Sequence, residues 1–129
     1  MRKIFFTVSL FIAVFFLFKN DINAQTNNSS SGILRHIVII TFKPDASADS
    51  IKALDDVYMG LSKNTLVKSF EMGVNISTRD TGLKHVYVTS FASKEDMDSY
   101  RKIPEYGKLF KISLSISDDV TVADYWVKK

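Results

Sequence analysis

Cysteine is absent from the 129 residues, which removes disulfides, thiolate metal ligands and a cysteine nucleophile together. Histidine is nearly absent: His36 and His85 are the only two, too few for a His-rich metal site. No patch of interleaved lysine, arginine and aromatic residues marks a nucleic-acid face. The formal charge of +3 is also less than it looks. Residues 1–24 carry Arg2, Lys3, Lys19 and Asp21, and without them 14 basic residues stand against 13 acidic ones. A chain of this size has a single domain as its prior expectation.

Residues 1–24 have the make-up of a signal peptide. Arg2 and Lys3 precede an apolar run from Ile4 to Phe18 interrupted by Thr7 and Ser9, and Lys19-Asn20-Asp21 closes it. That run is short beside the roughly 20 residues a bilayer-spanning helix needs, and Ala24 supplies a small residue at the expected cleavage point. The expected product is exported, periplasmic or secreted. An uncleaved leader would instead anchor the chain to a membrane, and a cleaved one leaves no stable membrane insertion. Residues 25–32, Gln-Thr-Asn-Asn-Ser-Ser-Ser-Gly, form a polar tether with nothing to bury. Residues 33–129 make the domain.

Leu34 to Lys43 is rich in β-branched side chains and reads as a strand. Ser47 is placed to cap a helix whose apolar residues Ile51, Leu54, Tyr58 and Leu61 form one stripe, with Lys52, Asp55 and Asp56 on the other side. Val67–Ile76 alternates as a second strand, with Lys68, Phe70, Met72 and Val74 as its more apolar side. A loop holding Asp80-Thr81-Gly82 leads to a third strand, His85–Phe91. Ser93-Lys94-Glu95-Asp96 opens a helix with Met97 and Tyr100, and Pro104 suits the first turn of another. Val120–Val127 is the last strand. The order strand, helix, strand, strand, helix, strand predicts an α+β, ferredoxin-like βαββαβ fold with a four-stranded antiparallel sheet and helices on one face. The first strand offers Ile37 and Ile39 on one face and Leu34, Val38, Ile40 and Phe42 on the other. Both faces call for cover, so a second sheet from an identical subunit is expected against the open one.

These segments resemble the stress-responsive dimeric α/β barrel (Dabb) family. The resemblance runs through Arg35-His36-Ile37-Val38 with Phe42-Lys43, then Phe70-Glu71-Met72-Gly73-Val74-Asn75 and His85-Val86-Tyr87-Val88-Thr89-Ser90-Phe91. Tyr100-Arg101-Lys102-Ile103-Pro104 and Asp124-Tyr125 complete it. It implies a homodimer closed into an α/β barrel. It also implies a comparison with a plant polyketide cyclase of the family, a cofactor-free aldol catalyst with the motif Tyr-x-x-His-Pro-x-His. Here the stretch reads Tyr100-Arg101-Lys102-Ile103-Pro104-Glu105-Tyr106, with Tyr100 matching the assisting tyrosine. Ile103 and Tyr106 stand where the histidines would be, and a phenol titrating near pH 10 is a poor base at neutral pH.

Two functions follow as expectations. One is a homodimer that binds a small, partly apolar or aromatic ligand between sheet and helices, with His85, Tyr58, Phe91 and Phe110 as candidate ligand contacts. The alternative is a cofactor-free cyclase, lyase or oxygenase-like enzyme using His36 with Tyr100 and Tyr106. Each candidate has a plainer role beside it. His36 and His85 also fit as partly buried histidines bonding across strands, and the tyrosines as rings packed on the sheet with wet hydroxyls. The aromatic residues, Phe70 and Trp126 included, also fit a plain core. A carboxylate pair of Glu71 and Asp124 would need both on one face. No metal and no cofactor are expected, and neither is nucleic acid.

Overall fold

A computed structural model describes residues 32–128; the expected leader, and all but Gly32 of the tether, lie outside them. Seven elements follow in order: β1 (Leu34–Phe42), α1 (Ala48–Leu61), β2 (Ser69–Val74), β3 (Lys84–Phe91), α2 (Lys94–Tyr100), α3 (Pro104–Ile116) and β4 (Ser117–Trp126). The strands form one antiparallel sheet in the order β2-β3-β1-β4. This is the ferredoxin-like arrangement, with the second helical connection split in two at Pro104.

The helices start where local chemistry dictates. Ser47 caps α1 by accepting from the Ser50 amide at 3.1 Å, and Ser93 caps α2 by accepting from the Asp96 amide at 3.0 Å. Each satisfies an amide that the first helical turn leaves without a partner. Ile103 lacks a capping side chain, but Pro104 has no N–H to satisfy and its fixed φ suits the first turn of α3. Between β2 and β3, Gly82 turns the chain at φ 94°, a conformation that strains any residue with a Cβ.

β1 lies at the centre, bonded on both edges. Its even residues, Leu34, His36, Val38, Ile40 and Phe42, are buried under the helices, while Arg35, Ile37, Ile39 and Thr41 are half-buried on the opposite face. Directly paired residues in an antiparallel sheet point the same way. The open face therefore gathers Ile37 and Ile39 with Val86, Val88 and Ala123. On the helix side, α1 buries the expected stripe of Ile51, Leu54, Tyr58 and Leu61.

Two expectations need correction, and one condition set by the sequence is not met. The second strand is shorter than Val67–Ile76, and Met72 and Val74, on its helix-facing side, stay 41% and 55% exposed because β2 is a sheet edge beyond the cover of the helices. Asp55 does not lie on the outer side of α1 with Lys52 and Asp56 but reaches the sheet. Glu71 and Asp124 cannot cooperate. Asp124 is level with His36 on the helix side, whereas Glu71 shares the open face with Arg35, 3.8 Å away.

Candidate functional site

Strand register creates the site. His36 lies directly opposite Asp124 of β4 on one edge of β1 and opposite Thr89 of β3 on the other. The His36 Nδ1 is 2.6 Å from Asp124 Oδ1, and Arg101, just past the end of α2, donates from Nη2 to Asp124 Oδ2 at 2.8 Å. Arg101 Nη2 also stands 3.2 Å from His36 Nδ1. A guanidinium only donates, and so does the Nδ1–H that reaches Asp124, so this second approach is a packing contact. The shorter contact to the carboxylate fixes the tautomer, with the proton on Nδ1 and a free lone pair on Nε2. That Nε2 is buried without a hydrogen-bond partner.

Charge in the cluster is balanced. Burial is the main influence on His36 and lowers its pKa from the ordinary 6.5, outweighing the attraction of Asp124. Burial pushes Asp124 the other way, but the hydrogen bonds from His36 and Arg101 prevail and hold its carboxyl below the usual range. At neutral pH the cluster is a neutral imidazole, a carboxylate and a guanidinium.

Both candidate tyrosines sit at this cluster. Tyr100 is almost fully buried, its ring packed edge-on against Phe91 at 5.1 Å and Tyr106 at 5.5 Å. Its hydroxyl reaches Thr89, and burial pushes its pKa up to about 12. The Tyr106 hydroxyl adjoins the Arg101 guanidinium.

Beside the cluster runs a cleft of about 220 Å³. Helix α3 supplies one wall through Tyr106, Leu109, Phe110, Ser113 and Leu114. Tyr58 of α1, Val38 of β1, and Val120 and Val122 of β4 complete it. Tyr106 is thus common to cleft and cluster, and Phe110, 58% exposed, stands at the rim. Ser113 Oγ is a buried hydroxyl on the cleft wall without a partner. His36, Tyr100 and Phe91 are not part of the cleft wall.

His85 belongs to another group. Opposite Ile40 on β3, it is four residues along β1 from His36, roughly 13 Å at strand spacing. His85 Nδ1 lies 3.0 Å from Asp55 Oδ1, and the Tyr87 hydroxyl donates to the same oxygen at 2.7 Å. Tyr58 stacks on Tyr87 with centroids 3.7 Å apart, and Phe42 meets His85 edge-on at 4.9 Å. This group ties α1 to the sheet. Among the described residues, no three His, Cys, Asp or Glu side chains are placed to share a metal ion.

Arg101 and Asp55 were not singled out from sequence as site residues, and Leu109 and Ser113 only as sharing one face of the helix after Pro104 with Tyr106 and Phe110. Nothing in the linear order pairs Asp124 with His36, 88 residues away, until the β1–β4 register is known. The spacing of Tyr106, Leu109 and Ser113 at i, i+3 and i+7 was the one available signal for the cleft wall.

Residues 34–127 match the sequence pattern of the stress responsive A/B barrel domain. The stress-response A/B barrel domain-containing protein HS1 of Arabidopsis thaliana is 29% identical over 100 residues, spanning 74% of this chain and 91% of that protein. The hydroxynitrile lyase of Passiflora edulis superposes with a TM-score of 0.69 at 22% identity, over 77% of this chain and 96% of that one. A Dabb family protein with a ferredoxin-like fold from Mesorhizobium loti gives 0.64 at 21% identity, over 76% and 99%. At such identities the structural likenesses establish the fold, while the sequence match across the whole βαββαβ unit establishes the lineage: the chain belongs to the stress responsive A/B barrel domain family.

Proposed function

We propose that this protein is an exported, homodimeric A/B barrel domain that binds a small, partly apolar molecule in the cleft between α3, α1 and the sheet. The cleft itself carries the reading: a concave, mainly apolar space whose wall includes the hydroxyl-bearing Tyr106 and Ser113. Apolar walls with a few placed polar groups are the usual make-up of a small-molecule site. Dimerisation is supported by the half-buried Ile37 and Ile39 on the open face and by a dimeric ferredoxin-like relative in structure from Thermobifida fusca. Export rests on the leader-like residues 1–24.

The test is binding of the uncharged dye N-phenyl-1-naphthylamine, whose fluorescence rises in apolar surroundings. The protein should bind the dye saturably, and Val122→Trp, which fills the cleft from the β4 side, should weaken binding at least about tenfold. Equal binding by both proteins would refute the cleft as the site.

A second reading, a cofactor-free enzyme, is favoured by one observation. An Nδ1–H held by a carboxylate with Nε2 left free is the arrangement of a general base. Binding takes precedence because His36 and Tyr100 are 2% and 1% exposed and neither lines the cleft. Turnover of any carbonyl compound that is abolished in His36→Gln would reverse that order.

A further inference from the structure

Helix α3 keeps two large apolar residues on its outside. Leu109, Ser113 and Ile116 turn inward, but Phe110 and Leu114, one turn apart, are 58% and 62% exposed. Val120 and Val122 of β4 are 42% and 51% exposed on the helix-facing side of the sheet, opposite Ile40 and Val38. All four line the same cleft, so they form one continuous apolar patch. The sheet-to-sheet dimer proposed above covers the opposite face and leaves this one bare. Contiguous exposed apolar surface of this kind marks an interaction site.

The surrounding charges indicate what covers it. At about 100° per residue, Lys111 lies roughly 60° round the helix from Leu114, and Lys108 roughly 60° further. Both lysines are exposed. Lys43 stands at the far end of α3, where its Nζ donates to the Ser115 carbonyl at 3.1 Å. Acidic groups on this side are fewer. Asp124 is tied to Arg101 at 2.8 Å, and Asp119, opposite Thr41, points to the other face of the sheet. Asp118 and Glu105 remain, against three lysines.

The residue types separate a lipid from a protein partner. Hot spots of protein interfaces are enriched in Trp, Tyr and Arg, with Leu and Val under-represented and Lys depleted. Here the exposed side chains are Leu, Val and Lys with one Phe. That set suits a helix resting in a headgroup layer, with its apolar side chains sunk into the acyl boundary and its ammonium groups at the phosphates. Among the described residues no helix is long and apolar enough to cross a membrane, so such a contact is peripheral.

We propose that the α3–β4 patch docks on an anionic lipid surface, with Phe110, Leu114, Val120 and Val122 at the acyl boundary and Lys108 and Lys111 among the phosphates. Docking of this kind needs no ligand in the cleft.

The absence of cysteine makes a site-specific test available. Leu114→Cys in the full-length chain is labelled with nitrobenzoxadiazole, whose emission rises and shifts to the blue in apolar surroundings. Ile76→Cys, at a 93% exposed position after β2 and on the sheet edge opposite β4, carries the same label as a control. Vesicles of phosphatidylcholine and phosphatidylglycerol should raise the emission at position 114 and leave position 76 unchanged, whatever residues 1–24 add to attachment. Phae110 is a second reporter: Phe110→Cys, labelled in the same way, should respond as position 114 does. Vesicles of phosphatidylcholine alone should give a much smaller rise, and high salt should weaken the response to the mixed vesicles. Lys108→Gln with Lys111→Gln should raise the lipid concentration at half-response about 25-fold, because each lysine near an anionic surface contributes about fivefold. No rise at positions 110 and 114 would overturn the proposal, as would equal rises at 76 and 114. So would equal responses with and without phosphatidylglycerol, or a lipid requirement unmoved by the lysine substitutions. A rise that follows protein concentration without vesicles would assign the patch to a second copy. A rise with polyglutamate in place of lipid would assign it to an acidic protein, and either result overturns lipid docking.

Discussion

Acid should destabilise this fold in a window set by His36. Its side chain is 3% exposed and its pKa lies below the ordinary 6.5 because burial disfavours the imidazolium. In the unfolded chain the imidazole is solvated and takes up a proton as pH falls through about 6.5. The folded form resists that proton, so over this range the unfolded state binds more protons and stability falls as pH falls. The slope is bounded at about 1.4 kcal/mol per pH unit for one proton, and the loss levels off once the folded His36 titrates. Asp124 adds a second loss of the same sign below 3.8, because its folded pKa is lowered. It is a third exposed, so solvent screening reduces its share. Urea unfolding at fixed protein concentration, repeated from pH 7.5 down to 4.5, measures the slope. The midpoint should be flat above about pH 7 and decline below about 6.5. Asp124→Asn removes the attraction that opposes burial and should extend the decline to lower pH. His36→Gln should abolish it whatever that variant's absolute stability. A flat profile in the unaltered protein, or a decline that persists in His36→Gln, would refute the reasoning.

Three other outcomes are expected. Leu54→Ala, at a position with no exposure in the α1 stripe, should cost about 3 kcal/mol in urea unfolding. Asp55→Ala removes the shared acceptor of His85 and Tyr87 and should cost about 2 kcal/mol; dye affinity should hold, since Asp55 is not in the cleft wall. Ile39→Asp places a charge at the centre of the open sheet face and should give a folded monomer by light scattering, whereas Asp at the exposed Ile76 should leave a dimer. If Ile39→Asp remains dimeric, the open face is not the interface.

The architecture was legible because its determinants are local. Ser47 and Ser93 announce helix starts, Pro104 marks the split of the second helical connection, and the stripe through Leu54 and Tyr58 reports a helix buried on one side. The site was legible only in part. His36, Tyr100 and Tyr106 were visible as residue types able to do chemistry, and they do sit around one cluster. The residues that decide what this cluster does, Arg101 and Asp124, looked like ordinary surface charges. Their roles depend on the β1–β4 register and on the turn after α2, both products of tertiary pairing. Asp55 illustrates the same limit: helical periodicity puts it outside, yet two donors on β3 draw it in.

The alternation of β1 links these results. Because side chains on a strand point to opposite faces in turn, His36, Val38 and Ile40 meet the helices while Ile37 and Ile39 meet whatever covers the open face. One strand thereby contributes to the cleft, the polar cluster and the expected dimer surface. The two faces still differ in what they tolerate. On the helix side, a polar group survives only with a partner, and His36 has Asp124 on one nitrogen and nothing on the other. An unpaired buried acceptor costs about 1–3 kcal/mol, a cost that an apolar side chain of similar volume at position 36 would not carry. A merely structural histidine therefore gains little by keeping Nε2 free. The unpartnered Nε2 is what favours the enzymatic reading, whereas the apolar cleft, which His36 does not line, carries the binding one.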